Sequence, residues 1–514
     1  MAARWWRWLR EDVWEIRFRR YVALLLTAVV LAAAVLAVLR LAQEDRSCAE
    51  GVARPEGSDD CVGVSTTAYD FGVPQFAPTA RAVDRENSRL KPGSYVTVAL
   101  FEPFTETDPD SVDDTVHELQ GAYLAQYRAN HDSTGQTPAI RLVLANTGRD
   151  GAHWRDVVDR LTTMAKGPDR LRAVTGIGLS TDNNRAAVKE LTHRGIPVVG
   201  SSITADSLAN GQGGKDPYPG LARVAPTNSD SARALASFAQ VTAGRALLVY
   251  DKPGDPYTRT LQSAFEKLTT GSPYQAQPFT PPADRTQEGT TANQFRQITQ
   301  LVCDTPKTTD TILFAGRHTQ LRQFVNALGA RGCVDHRLTV LTGDEGSYLI
   351  GDRKLDWTAL NSTLSVRYTA LAHPDAWRRD PARTGGSAAD AAALDRLVAQ
   401  GAKEPVGPIG PVSLDDGQLI TAYDATWLAV QGVREATPSG RTAPELADVV
   451  NEWPLMKGSQ RVNGASGWIC LDVHANPYDK AVPIVELTSS GGSRFVRIAW
   501  PEGKPPAKEC LPPS

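Results

Sequence analysis

The sequence has no HExxH, no GxSxG, no phosphate-binding P-loop and no GxGxxG at a strand–helix junction. Nothing therefore supports a zinc hydrolase, a nucleophile-elbow hydrolase, or an enzyme built on nucleotide phosphates or dinucleotides. No catalytic residue, cofactor or metal site is expected. A charge excess is missing as well. Charged residues make up 22% and the net charge is -3, which fits neither a nucleic-acid binder nor a disordered chain. No CxxC pair occurs, and no internal repeat or low-complexity tract stands out.

What is present is an even set of six cysteines: Cys48, Cys61, Cys303, Cys333, Cys470 and Cys510. In an exported chain such a set forms disulfides, although sequence alone does not select the pairing. Nearest-neighbour pairing, Cys48–Cys61, Cys303–Cys333 and Cys470–Cys510, is preferred. Buried free thiols are the alternative if the bulk of the chain is cytosolic. Cys333-x-x-His336 is half a metal site and reads better as a disulfide beside a surface histidine. Asp472-Val-His474-Ala-Asn476 lacks the glycine and the terminal Glu of a calcium loop and reads as a turn.

Residues 1–20 carry six arginines, three acids and four tryptophans. Tyr21–Leu39 follows with 19 uncharged residues, enough as a helix to span about 28 Å, close to a bilayer's hydrocarbon core. The arginines place the N-terminus in the cytoplasm and the rest of the chain outside, and the tryptophans suit the membrane interface. A cleaved signal peptide is the alternative, but the apolar run is long for one and Arg40-Leu41-Ala42-Gln43 is a poor cleavage site. The expected organisation is a basic segment (1–20), a single transmembrane helix (21–42), a stalk or linker (43–91), two lobes and a tail (501–514).

From Tyr95 onward, short β-branched runs alternate with helical spacings. Strands are predicted at Tyr95–Phe101, Ile140–Ala145, Ala246–Tyr250, Thr311–Ala315, Leu338–Thr342 and Ser365–Thr369. Helices are predicted at Asp113–Ala129, Trp154–Met164, Tyr257–Leu268, Thr319–Ala330, Ala388–Ala399, Ile420–Ala436 and Ala443–Asn451. Three β segments, Gly467–Val473, Val482–Thr488 and Phe495–Trp500, close the chain. This alternation argues an α/β protein with parallel sheets. About ten strands crowd one open sheet, so two Rossmann-like lobes are the simpler arrangement.

Arg172–Asp206 reads as one βαβ unit. Its apolar runs Ala173–Leu179 and Ile196–Val199 end in Ser180-Thr181 and Ser201-Ser202. Parallel sheets bind ligands at the carboxyl ends of their strands, where hydroxyls and free N–H groups suit an anion. The alternative is that these residues cap the next helix.

Six stretches in order resemble the type I periplasmic solute-binding proteins, the branch that binds branched-chain amino acids and related ligands. They are Ala222–Ala239, Ala246–Leu261, Phe314–Gly332, Leu341–Tyr348, Ala422–Glu435 and Gly467–Val485; the likeness spans roughly residues 92–500. CVGVS at Cys61–Ser65 resembles a membrane-anchored actinobacterial-type subgroup. The resemblance implies two lobes, 92–226 with 370–458 and 227–369 with 459–500, joined by three crossovers near Pro226, Tyr368–His373 and Lys457–Arg461. It implies a small polar, amino-acid-like ligand, delivered to the permease subunits of an ABC-type importer. A sensing or protein-interaction ectodomain is the other reading.

The family's carboxylate-binding positions correspond to Ser180, Thr181, Ser201 and Ser202. Glu345, with Asp344 as an alternative, falls where the family holds an ammonium. Tyr257 is a further candidate of the second lobe. His318 stands near an aromatic position, and Arg317 beside it suggests room for a second anionic or polar group.

Overall fold

The computed structural model describes residues 17–41, 46–131, 137–252, 254–283, 288–289, 291–379 and 384–513. Most of the basic N-terminal segment, residues 1–16, lies outside them. Two compact units divide the chain, residues 1–47 and 48–514. In the first, Arg17–Leu41 is a single helix. Its stretch Arg17–Val35 is long and apolar enough to cross a membrane. Leu25, Val30 and Leu31 are more than half exposed.

Among the described residues, the second unit contains two large sheets and a two-stranded one, Val462–Gly464 with Gly467–Ile469. The first is eight-stranded and parallel at its centre, where Tyr95–Glu102 lies between Ala139–Asn146 and Leu171–Gly176. Along Tyr95–Glu102, Val96, Val98 and Leu100 enter one apolar cluster while Ala99 and Phe101 enter another. The strand alternates with period two, and both its faces are covered by helices, as a parallel sheet requires. Arg172–Asp206 forms the expected unit: Leu171–Gly176, helix Asp182–His193, then Val198–Gly200 paired parallel to the first strand.

The second sheet has seven strands. Gln277–Phe279, Ala246–Asp251, Thr311–Ala315, Leu338–Thr342 and Leu364–Thr369 run parallel. Val482–Leu487 and Ser493–Ala499 then add antiparallel strands.

The chain passes to the second sheet after Leu221–Arg223 and leaves it after Leu364–Thr369. Helix Gln418–Glu435 then packs against helix Pro109–His131 in the first lobe. The contact is backbone-close: a Cβ on Gly121 would lie 2.2 Å from the Leu419 carbonyl oxygen, so no larger residue fits.

Two expectations need correction. The 43–91 segment is not a stalk. Val62–Ser65 pairs with Ala139–Asn146, and helix Ala77–Asn87 buries Ala80, Ala82 and Val83 in the first lobe's core. Short strands and a helix rich in Ala and charge hide this from hydrophobic patterning. The third crossing also comes later than Lys457–Arg461. Val462, Ile469, Leu471 and Ala475 stay in the first lobe's core, and the second sheet is regained only at Val482.

All three nearest-neighbour disulfides form. Cys470–Cys510 ties the C-terminal tail to the body, with Cys510 fully buried.

Candidate functional site

A cavity of about 370 Å³ lies between the two lobes, lined by residues of both. Its size is within the range of small-molecule sites. Its lining is acidic, with seven carboxylates against two arginines.

On the first lobe the wall is made by Glu102, Asp114 and Glu118. Glu102 is the last residue of its strand. Asp114 and Glu118 are one turn apart on helix Pro109–His131 and so share a face. Gly178 lets Glu102 and Glu118 converge. A Cβ there would lie 2.6 Å from Glu118 Oε2 and 3.0 Å from Glu102 Oε2. Glu102 Oε2 accepts from Gly178 N at 3.3 Å, and Glu102 Oε1 has no hydrogen-bond partner among the described residues.

Burial and the neighbouring Glu118 push the Glu102 carboxyl well above its usual range. Burial also raises Glu118, although bonds from Glu102, Ser202 and Ser201 oppose it. Burial and Asp416 raise Asp114, against a hydrogen bond from Tyr348 across the cleft.

On the second lobe the acids are matched. Arg317 precedes helix His318–Gly329 and is 5% exposed. Its Nε and Nη2 donate to Asp255 Oδ2 at 2.9 and 2.6 Å, and its Nη1 donates to Glu345 Oε1. Nη2 also reaches across to the Ser180 carbonyl at 3.2 Å. The guanidinium sits 4.6 Å from the Tyr257 ring centroid, a cation–π contact. Glu345 Oε2 accepts from His318 N at 2.9 Å and lies 2.8 Å from His318 Nδ1. Burial alone would raise Glu345, but Arg317 and His318 outweigh it and hold the carboxyl far below the usual range. Asp344, beside it, is pushed up to about 7 by burial and by Glu345. The His318 and Tyr348 rings stack at 4.6 Å and form a flat wall.

No protein-family model and no curated protein matches the sequence. Solved structures do. The isoleucine-bound LivJ substrate-binding protein of a branched-chain amino-acid transporter from Streptococcus pneumoniae aligns at TM-score 0.56 and 16% identity, over 79% of this chain and 99% of that one. A leucine-binding protein, LivK, from Thermotoga maritima gives the same values. A benzoate-bound solute-binding protein of an ABC transporter from R. palustris aligns at TM-score 0.55 and 16% identity, over 80% and 97%.

The chain has the type I periplasmic-binding-protein fold. At these identities the likeness is one of fold. Within it, His318 and Glu345 line the cavity, whereas Ser180, Thr181, Ser201, Ser202 and Tyr257 stand behind its wall. Thr181 caps helix Asp182–His193 by accepting from Asn184 N. Ser180 Oγ accepts from Thr204 N and Ala205 N at 3.1 and 3.2 Å. Ser201 and Ser202 donate to Glu118 Oε1 at 3.1 and 2.8 Å. Their hydroxyls already serve a protein carboxylate. Tyr257 supports Arg317 and lies 3.5 Å through its hydroxyl from Glu345 N.

Sequence reasoning missed Glu102, Asp114, Glu118, Tyr348 and Gln418. One signal was available: YVTVALFE ends an otherwise apolar buried run on a carboxylate. Asp108, Asp110 and His318 each offer a ligand atom within 4.8 Å of the others, an arrangement a divalent ion could use. Asp108, however, is already engaged by Ser111 N and Oγ, both at 3.1 Å.

The Cys333–His336 stretch is corrected in one respect. The cysteine is disulfide-bonded, but His336 is buried, with Nε2 2.8 Å from the Thr309 carbonyl. The Asp472–Asn476 segment is a turn in which Asp472 Oδ1 accepts from His474 N and Asn476 N.

Proposed function

We propose that the protein is an extracytoplasmic solute-binding protein, held to the membrane by its N-terminal helix, that captures a small polar ligand between its lobes. One observation carries this reading: a ligand-sized cavity is walled by strand ends and helix starts from both lobes. Such a site closes by hinge motion, and the bound ligand then holds the lobes together. Delivery to the permease subunits of an ABC-type importer is the accompanying role, in keeping with the named function of the proteins that share the fold. The N-terminus is cytoplasmic and the lobes are outside; three disulfides agree with an oxidising compartment.

Binding is preferred over catalysis because the buried acids are fixed by one another rather than aimed at a nucleophile. The test is a thermal-shift screen of small polar solutes with the full chain in detergent. A saturable rise in the melting temperature is expected for a restricted set of compounds, and a flat response across the screen overturns the reading.

A sensing role is the second reading, favoured by the helix Arg17–Leu41, since a tethered receptor cannot diffuse to a distant transporter. Co-purification with permease subunits selects transport. Co-purification with a signalling partner and no permease selects sensing.

A further inference from the structure

We infer that the ligand carries a protonated amine, and that its ammonium is seated on the first lobe between Glu102, Glu118 and Asp114. The inference rests on the binding function proposed above and names the ligand's chemical class.

The first observation is an imbalance. Three carboxylates converge on one end of the cavity, and none of their leading electrostatic neighbours is a cation. His117, on the same helix, is bonded through Nδ1 to Asp416, and Arg149, which also lines the cavity, pairs with Asp60. Across the cleft Arg317 donates to Asp255, Glu345 and the Ser180 carbonyl.

The second observation is a bare acceptor. Glu102 is 2% exposed and lines the cavity, and its Oε1 has no hydrogen-bond partner among the described residues. A buried acceptor left unsatisfied in a native fold calls for an explanation, and a missing donor is the direct one. An ammonium offers three N–H donors and no acceptor, which matches a wall that offers oxygens.

The third observation excludes the opposite charge. Ser201 and Ser202, which would serve an anion, point their hydroxyls into Glu118. The Thr204 and Ala205 N–H groups are taken by Ser180. A ligand carboxylate placed here would meet acidic side chains, and the neighbouring hydroxyl and N–H donors are already engaged. The volume of about 370 Å³ suits an organic amine rather than a bare metal ion, and the flat His318–Tyr348 pair gives its carbon body a wall to lie on.

Burial and mutual repulsion favour a proton on the Glu102–Glu118 pair. Where an ammonium displaces that proton, binding releases it to solvent.

The test is isothermal titration of the full chain in detergent at pH 7.5. The probes are putrescine, spermidine, L-lysine, L-leucine, L-glutamate, benzoate, and MnCl2 and ZnCl2 alone. Saturable binding of an amine is expected. Its affinity should fall at least about tenfold in Glu102→Gln and in Glu118→Gln, as loss of a charge-assisted bond implies. Both substitutions keep shape and remove like-charge repulsion, so melting curves serve as the folding check.

The enthalpy in two buffers of different ionisation heat reads the released proton. Leucine, glutamate and lysine also carry an α-ammonium, so benzoate is the amine-free organic probe. Binding of benzoate with no binding of any ammonium-bearing probe overturns the inference and leaves the binding function standing. Binding of metal alone, or of an amine with unchanged affinity in both variants, also overturns it. A folded chain that binds nothing removes the binding function and the inference together.

Discussion

The two walls of the cleft are both rich in buried carboxylate, yet they are solved in opposite ways. The second lobe threads Arg317 between Asp255 and Glu345 and backs it with the Tyr257 ring. The first lobe brings Glu102 and Glu118 together over Gly178 with hydroxyl donors and no cation. A buried charge persists when it is paired or when it gives up its charge. The second lobe uses pairing at Asp255 and Glu345. On the first, burial and mutual repulsion favour the protonated forms of Glu102 and Glu118, and the proposed ammonium would complete that wall.

The comparison breaks most visibly at Arg317. Arg317→Met leaves Asp255 and Glu345 buried without their cation and should cost about 3–5 kcal/mol of unfolding free energy. Urea unfolding at pH 7 reads it; a loss under about 1 kcal/mol would mean that water already screens this pair.

The same chemical change should then act differently on the two walls. Glu345→Gln removes a paired charge and should cost about 2–3 kcal/mol. Glu102→Gln relieves a like-charge pair and should leave stability unchanged or raise it by up to about 1 kcal/mol. Equal losses in the two variants would dissolve the distinction.

How much of this was legible follows the range over which each feature is determined. Strands such as Thr311–Ala315 and Leu338–Thr342 are set by local apolar runs and are found where the sequence places them. Helix Ala77–Asn87 is not legible that way, because Thr79 and Glu86 are among the residues it buries. The strand-end hydroxyls at Ser180 and Ser201, expected to hold a ligand anion or to cap the next helix, bond instead to Thr204 N, Ala205 N and Glu118. What a hydroxyl donates to, however, depends on residues far away in the chain. Ser202 finds Glu118 across 84 positions and Gln418 across 216. Glu102, Asp114 and Glu118 look like an ordinary strand terminus and an ordinary helix face until the fold brings all three to one cavity, with Glu102 and Glu118 over Gly178.

The pH response separates the walls further. Glu345 lies below its unfolded value when folded. Its contribution is therefore present above about pH 4.3 and is lost as the pH falls through the folded value. Glu102 lies well above its unfolded value when folded, through burial and Glu118. Its contribution is complete below about pH 4.3 and is lost as the pH rises through the folded value.

The groups facing Glu102 are Glu118 and Asp114 from helix Pro109–His131, and the Gly178 N–H. Asp344, at about 7, adds an alkaline slope of its own on the second lobe. Unfolding free energies from pH 3 to pH 9 in an Asp344→Asn background should therefore show an acid loss that Glu345→Gln removes. They should also show a loss with rising pH that Glu102→Gln reduces, the remainder coming from other raised acids such as Asp114, Asp251 and Asp479. A slope unchanged by Glu102→Gln would place the titration elsewhere.

The smallest expected effect tests whether the strand-end hydroxyls belong to the site or to the scaffold. Ser180 Oγ satisfies Thr204 N and Ala205 N and is 3% exposed. Ser180→Ala leaves two buried donors without that acceptor, which should cost about 1–2 kcal/mol. Ligand affinity should stay within about twofold, since the lost bonds face away from the cavity. Ser202→Ala, by contrast, removes a donor from Glu118 and so raises its proton affinity. It should weaken amine binding near neutral pH by more than it lowers stability. If Ser180→Ala abolished binding while sparing stability, the anion-binding edge would be the working site after all, and the acidic wall its support.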